Sequence, residues 1–141
     1  MKQFLEIAKD TIALCSKYNI PVLVNDRIDV ALASGAAGVH IGQSDMPLTV
    51  ARKLLPPHMI IGVSCSTPEH ARKAVEEGAD YVGLGAVYGT RTKDVSAPGE
   101  TCGIAGVRAM LGVLEGTGVK AVAIGKPPVY FLFLLRRSLW P

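Results

Sequence analysis

The sequence predicts an α/β fold of (β/α)8-barrel type, and three observations carry that prediction. Apolar, β-branched runs start near residues 22, 39, 60 and 82, and a helical stretch separates each from the next. The segments ALASGAAGVHIG, from Ala31, and AVEEGADYVGLG, from Ala74, share Ala, Gly-Ala, Val, an aliphatic residue and a final Gly at a constant offset of 43 residues, two strand-helix units. A helix in every connection makes neighbouring strands parallel with right-handed crossovers. With this repetition and no G-x-G-x-x-G after a strand, a barrel is favoured over a doubly wound sheet.

The chain opens with Phe4, Leu5, Ala8, Ile12 and Cys15 at helical spacing, which predicts an amphipathic helix over residues 2–18. Pro21 interrupts it, and Val22, Leu23 and Val24 predict a strand that stops at the polar Asn25, Asp26 and Arg27. Residues 28–34 read as a short helix closed by Gly35, and residues 38–42 as the second strand, followed by Gln43, Ser44 and Asp45. A helix over 47–55 is predicted with Pro47 in its first turn and Pro56-Pro57 as its stop. The third strand covers 59–63 and gives way to Ser64, Cys65 and Ser66. Thr67 then offers an N-cap, and Pro68 a first helical residue, for a helix reaching Glu77 that Gly78 terminates. In strand four, 81–85, Tyr81, Val82 and Leu84 supply bulk while Gly83 and Gly85 leave the backbone open to close approach. Beyond a glycine-rich loop, 105–114 predicts a helix and 120–124 a fifth strand.

At 141 residues, 49% of them apolar, with a mean hydropathy of +0.31, the chain is one domain's worth and has the material for a core. The net charge of +3 is concentrated at one end: Lys126, Arg136 and Arg137 lie in the last sixteen residues, and the first 125 carry 12 basic against 12 acidic side chains. A nucleic-acid-binding face is therefore not expected. The same sixteen residues hold Tyr130, Phe131, Phe133 and Trp140, half of the eight aromatics, which separates a domain over 1–125 from a divergent apolar and basic tail over 126–141. Cys15, Cys65 and Cys102 are scattered, without metal-ligand spacing, and are expected to be buried thiols in a reducing compartment. Charges at Lys2, Glu6, Lys9 and Asp10 occupy the place where a signal peptide needs its apolar core, and no apolar run is long enough to span a bilayer. A cytoplasmic protein without membrane association is expected.

Barrel chemistry sits at the carboxyl ends of the strands, and those ends carry Asn25-Asp26-Arg27, Gln43 and Asp45, Ser64, and the cluster Thr90, Thr92, Lys93. Two hydroxyls and an ammonium within four residues, beside glycines with open N–H groups, suit phosphate oxygens. Asp26 and Asp45 are hard oxygen ligands on neighbouring units, and two carboxylates plus a ligand's phosphates are a usual way to hold Mg²⁺. Each aspartate alone reads equally as an Asx turn or helix cap, Ser64 as a loop cap, and His40 as a packed interior side chain. No Ser-His-Asp or Cys-His arrangement is legible, so nucleophilic hydrolysis is not expected.

VNDRIDVALASGAAGVHIGQSDMP, IIGVS, DYVGLGAVYGTRTK and VAIG, in this order and at these intervals, resemble the thiamine phosphate synthase family over residues 1–125. The resemblance implies a TIM barrel that joins hydroxymethylpyrimidine diphosphate to a thiazole phosphate, releasing pyrophosphate with Mg²⁺. It implies Asp26 and Asp45 as metal ligands, and Asn25, Ser64 and Lys93 as contacts to the diphosphate, with Lys93 and Ser64 carrying catalysis. It further implies that Thr90 and Thr92 hold the thiazole phosphate, joined by Gly125 from the next strand. Mg²⁺ and Lys93 would stabilise the charge on a departing diphosphate, a reaction that needs neither acid nor nucleophile.

Three departures from the family qualify this. The family's first two strands, the second ending in a diphosphate-binding Gln-x-Arg-x-Lys-like cluster, have no counterpart before residue 2, and the eighth strand has none either, so the resemblance implies five of eight strand-helix units. The family's Gly-Gly-Ile after VAI is replaced by Gly125-Lys126-Pro127-Pro128 and an unrelated tail. Two further readings therefore stand beside the synthase: an inactive barrel fragment that at most binds phosphate or pairs with other chains as a homo-oligomer, and a thiazole tautomerase-like protein.

Overall fold

The alternation of amphipathic and β-branched stretches becomes five helices and five strands in the computed structural model, which describes residues 2–89 and 101–125. The chain divides into two compact units, residues 1–63 and 64–141. Every pairing within each unit is parallel, the strand-helix-strand pattern of a (β/α)8-type fold.

The first unit contains α1 (Lys2–Ser16), β1 (Leu23–Asn25), α2 (Ile28–Ser34), β2 (Gly38–Ile41), α3 (Leu48–Leu54) and most of β3 (Ile60–Cys65). β2 is the middle strand: Val24 and Asn25 of β1 stand opposite Val39 and His40, and Val39 and Ile41 stand opposite Ile61 and Val63 of β3. Gly38 permits the second pairing, because a Cβ there would collide with the carbonyl of Ile60. Val39, Ile41 and Ile61 are at most 1% exposed, and Ile28, Val30, Ala31, Leu48 and Ala51 bury helix faces in the same core. Helix α1 rests on α2 but buries only Ala8, leaving Ile7 and Leu14 more than half exposed. It stops at Ser16, short of the expected end, and Asn19 turns the chain with a left-handed φ of 54°.

The second unit holds the end of β3, α4 (Pro68–Glu76), β4 (Tyr81–Leu84), α5 (Gly103–Leu114) and β5 (Lys120–Ala123). Helix α4 starts as the sequence predicts, with Thr67 Oγ1 accepting the His70 amide at 3.2 Å and Pro68 in the first turn. It packs against α5, and Cys65, Ala71, Ala74, Val82, Leu84 and Met110 form the core. Val122 of β5 and Ile124 just beyond it stay open, 52% and 46% exposed.

The sequence repeat is a repeated helix stop. The Ala36 amide donates to the Ala31 carbonyl at 3.1 Å, and the Ala79 amide to the Ala74 carbonyl at 2.9 Å. The glycine before each, Gly35 at φ 73° and Gly78 at φ 85°, donates to Leu32 and Val75 respectively. These are Schellman closures: glycine takes the left-handed position, and the next alanine is buried before the strand begins.

Some boundaries differ from expectation. Pro47 precedes α3 at its N-cap position rather than lying in the first turn, its carbonyl accepting from Val50 and Ala51. Strand β3 continues to Cys65, so Ser64 is a strand residue rather than a loop cap, and the capping hydroxyl belongs to Thr67. Helix α5 begins two residues earlier than 105, at Gly103. Of the three cysteines only Cys65 is buried.

Candidate functional site

In the first unit, β1 ends in a strained turn. The Asp26 amide donates to the His40 carbonyl at 2.8 Å, extending the β1–β2 pairing by one bond. The chain then reverses, with the Arg27 amide donating to the Asn25 carbonyl at 2.6 Å across Asp26 at φ +64°. A γ-turn with positive φ on a residue other than glycine costs on the order of 1–3 kcal/mol, and such outliers cluster where a side chain must be aimed.

Asp45 is held from the next unit. Its Oδ2 accepts the Gly42 amide at 2.7 Å, while its own amide donates back to the Gly42 carbonyl at 3.3 Å. Gly42 suits this closeness, since a Cβ there would lie 3.0 Å from Oδ2 and the carboxylate would have to shift by a few tenths of an ångström. Asp45 therefore has the turn-closing role that its type allows, with one oxygen so engaged.

Asp26 and Asp45 line one open groove of about 540 Å³ with Arg27, Ile28, Asp29, Leu32, Met46 and Leu54. Asn25 is exposed at the end of β1, opposite the half-buried His40. Arg27 and Asp29 form a two-point fork on this groove: Nε donates to Oδ1 at 2.9 Å and Nη2 to Oδ2 at 2.5 Å. That hydrogen bonding holds the Asp29 carboxyl below its ordinary value and raises the Arg27 guanidinium above its own. The pair escaped the sequence reading, although an Arg-x-Asp at a helix start was the signal for it.

The donor set suits a hard cation. Among the described residues no three His, Cys, Asp or Glu side chains group to hold a metal by themselves. Two carboxylates on one groove match the way Mg²⁺ is bound, through one or two acidic side chains with water and substrate phosphates completing the octahedron.

In the second unit, Ser64 lies half-buried near the end of β3, and Ser66 Oγ sits 3.2 Å from His70 Nδ1. Sequence reasoning missed this second pair, whose signal was Ser and His four residues apart across a helix start. Burial pushes the Cys65 thiol up to about 11. Gly85 admits a close approach as expected, but of backbone rather than of an anion. The carbonyl of Ile124 occupies the place of its missing Cβ, and the strand ends are laced by Val87 N–H to Ile124 O and Ile124 N–H to Leu84 O, both 2.9 Å. Gly125, at φ 125°, likewise faces the Val87 and Tyr88 backbone on its Cβ side. Thr90, Thr92 and Lys93, and the tail over 126–141, lie outside the described residues.

The family model for thiamine monophosphate synthase matches residues 1–126. The chain belongs to that family. It is 49% identical over 124 residues to a chloroplastic thiamine biosynthetic bifunctional enzyme of Arabidopsis thaliana, covering 88% of this chain and 23% of the relative. It is 46% identical to the thiamine-phosphate synthase of Clostridium novyi, covering 88% of this chain and 58% of that one. Among solved structures, a thiamine phosphate pyrophosphorylase from Pyrococcus furiosus matches with a TM-score of 0.74 and 37% identity, over 88% of this chain and 56% of the other. The chain thus spans between about a quarter and three-fifths of these relatives. Among the described residues no helix is long and apolar enough to cross a membrane.

Proposed function

We propose that this chain carries the cation- and diphosphate-handling part of a thiamine phosphate synthase, which joins hydroxymethylpyrimidine diphosphate to thiazole phosphate and releases pyrophosphate. The observation that carries this reading is the groove shared by Asp26 and Asp45, with the Asp26 backbone set by a left-handed turn and the Asp45 carboxylate held by the Gly42 amide. Asp26 and Asp45 would hold Mg²⁺, which when bound neutralises charge on the departing diphosphate. Asn25 and Ser64 donate to diphosphate oxygens, and Lys93 adds a positive charge where the leaving group collects negative charge. Thr90 and Thr92 take the thiazole phosphate with the amide of Gly125, which makes no backbone hydrogen bond among the described residues. The substrates are phosphorylated small molecules, and the chemistry requires no protein nucleophile.

A second reading, a chain that binds phosphate ligands without turnover, is favoured by the exposed apolar face at Val122 and Ile124. One assay separates the two: incubation of the purified chain with both substrates, with and without Mg²⁺. Mg²⁺-dependent formation of thiamine phosphate supports the synthase reading, and ligand binding without product supports the second.

A further inference from the structure

We propose that the open apolar stripe of α1 is a self-association surface. A second copy of this chain lays its own α1 on it antiparallel, and ion pairs between Asp10 and Lys17 form twice about a two-fold axis. Helix α1 has two apolar sides. Leu5, Ala8, Ile12 and Cys15 recur on the side turned inward, where Ala8 is buried and the other three are half-buried. Phe4, Ile7 and Leu14, with Thr11 between them, recur at intervals of three and four on a second side, and Tyr18 continues the spacing into the turn after Ser16. This second stripe is exposed, from 38% at Phe4 to 71% at Tyr18. Apolar residues alternating at three and four along a helix are the pattern by which two helices pack side by side.

The charges beside the stripe select the partner and its direction. Asp10 and Lys17 lie along one edge of the stripe, the edge away from Ala8 and Cys15. Lys17 keeps to the helical path beyond Ser16, its amide donating to the Leu14 carbonyl at 3.3 Å. Neither charge makes an ion pair among the described residues. Two helical turns, roughly 10 Å along the axis, keep them from each other. An antiparallel copy of the same helix brings each one to its opposite.

Two antiparallel registers set the stripe against itself. With Phe4 opposite Leu14 of the second copy and Ile7 opposite Thr11, each Asp10 faces its own counterpart, and like charges so placed repel. With Ile7 opposite Tyr18 and Thr11 opposite Leu14, each Asp10 faces Lys17, and it does so twice because a two-fold contact repeats every pairing. Both registers cover three large apolar side chains per helix, so charge decides between them. A parallel pair would set the edge of Asp10 and Lys17 against the inward-turned edge of Ala8 and Cys15, leaving both charges unmatched.

The test is sedimentation equilibrium of the full chain carrying Val122→Lys and Ile124→Thr, which removes the other exposed apolar contact, with α1 intact or further altered by Asp10→Lys, Lys17→Asp, both exchanges together, or Leu14→Lys. With α1 intact, a dimer that dissociates on dilution is expected. Asp10→Lys and Lys17→Asp are each expected to weaken it about tenfold, because two exposed pairs turn from attraction to repulsion. The combined exchange rebuilds both pairs with the charges reversed and is expected to restore the affinity to within about twofold. Leu14→Lys is expected to leave a monomer, and thermal melts of all variants to coincide within a few degrees. A monomer at every concentration with α1 intact, single exchanges that leave the affinity unchanged, or a combined exchange as weak as either single one would overturn the proposal.

Discussion

The amide of Gly42 donates to Oδ2 of Asp45 at 2.7 Å, across a turn so tight that a methyl group on Gly42 would press against the oxygen it serves. Gly42→Ala must therefore displace Asp45 without touching the core. It is expected to cost about 1–2 kcal/mol of stability, in the range of ordinary single substitutions, and to weaken Mn²⁺ binding severalfold. Gly35→Ala is the control, because its left-handed φ of 73° incurs about 1–2 kcal/mol of backbone strain, yet nothing lies within 4 Å of the new methyl. Equal Mn²⁺ affinities in the two variants would separate Gly42 from the site.

Cys65 is fully buried and its thiol is pushed up to about 11, whereas Cys15 and Cys102 are partly accessible. Native protein at pH 8 is expected to react with iodoacetamide at Cys15 and Cys102 first, and at Cys65 only after unfolding. Because the folded thiol titrates above the unfolded one, its contribution to stability is complete below the unfolded value of 9.0 and is lost as pH rises towards 11. Peptide mapping after brief labelling checks this, and early modification of Cys65 would contradict it.

Lys93 lies outside the described residues, and the expectation for it comes from its place in TRTK. Lys93→Ala is expected to weaken phosphate-bearing ligands by about 1.5–3 kcal/mol, the range for a hydrogen bond to a charged group. Calorimetric titration with pyrophosphate in Mg²⁺ measures it. An effect near zero would make the cluster an ordinary polar loop.

Val122 on β5 and Ile124 just after it present an exposed apolar stripe. Covering a side chain of this size is worth about 1.5–3 kcal/mol, so the stripe favours contact with another chain. Light scattering is expected to give a mass above that of the 14.9 kDa monomer, falling when Val122→Lys and Ile124→Thr are combined. A monodisperse wild-type monomer would contradict it.

The fold was legible because its punctuation was. Gly35 and Gly78 stop helices in the same way, and Thr67 and Pro68 start one as their types demand. Pro47 fell just outside its helix because a proline closes a turn as readily at the cap as one residue later. The site was legible in residue type but not in arrangement. Asp26 and Asp45 stood out as carboxylates at strand ends, but aspartate tolerates a left-handed turn without requiring one, so the turn at Asp26 shows only in the fold. Gly85 misled because a glycine makes room for backbone as readily as for a ligand, and here the carbonyl of Ile124 fills it. Asp29 and His70 were missed because their partners, Arg27 and Ser66, lie across a helix start, where only the folded geometry brings the two together.

The most direct test of the central claim is calorimetric titration of pyrophosphate with and without Mg²⁺, on the wild-type chain and on Asp26→Ala and Asp45→Ala. With the metal held by two carboxylates, losing either leaves too few anionic ligands to compete with water. Mg²⁺ is therefore expected to strengthen pyrophosphate binding to the wild type and to have no effect on either variant. An undiminished Mg²⁺ dependence in both variants would contradict the assignment of Asp26 and Asp45.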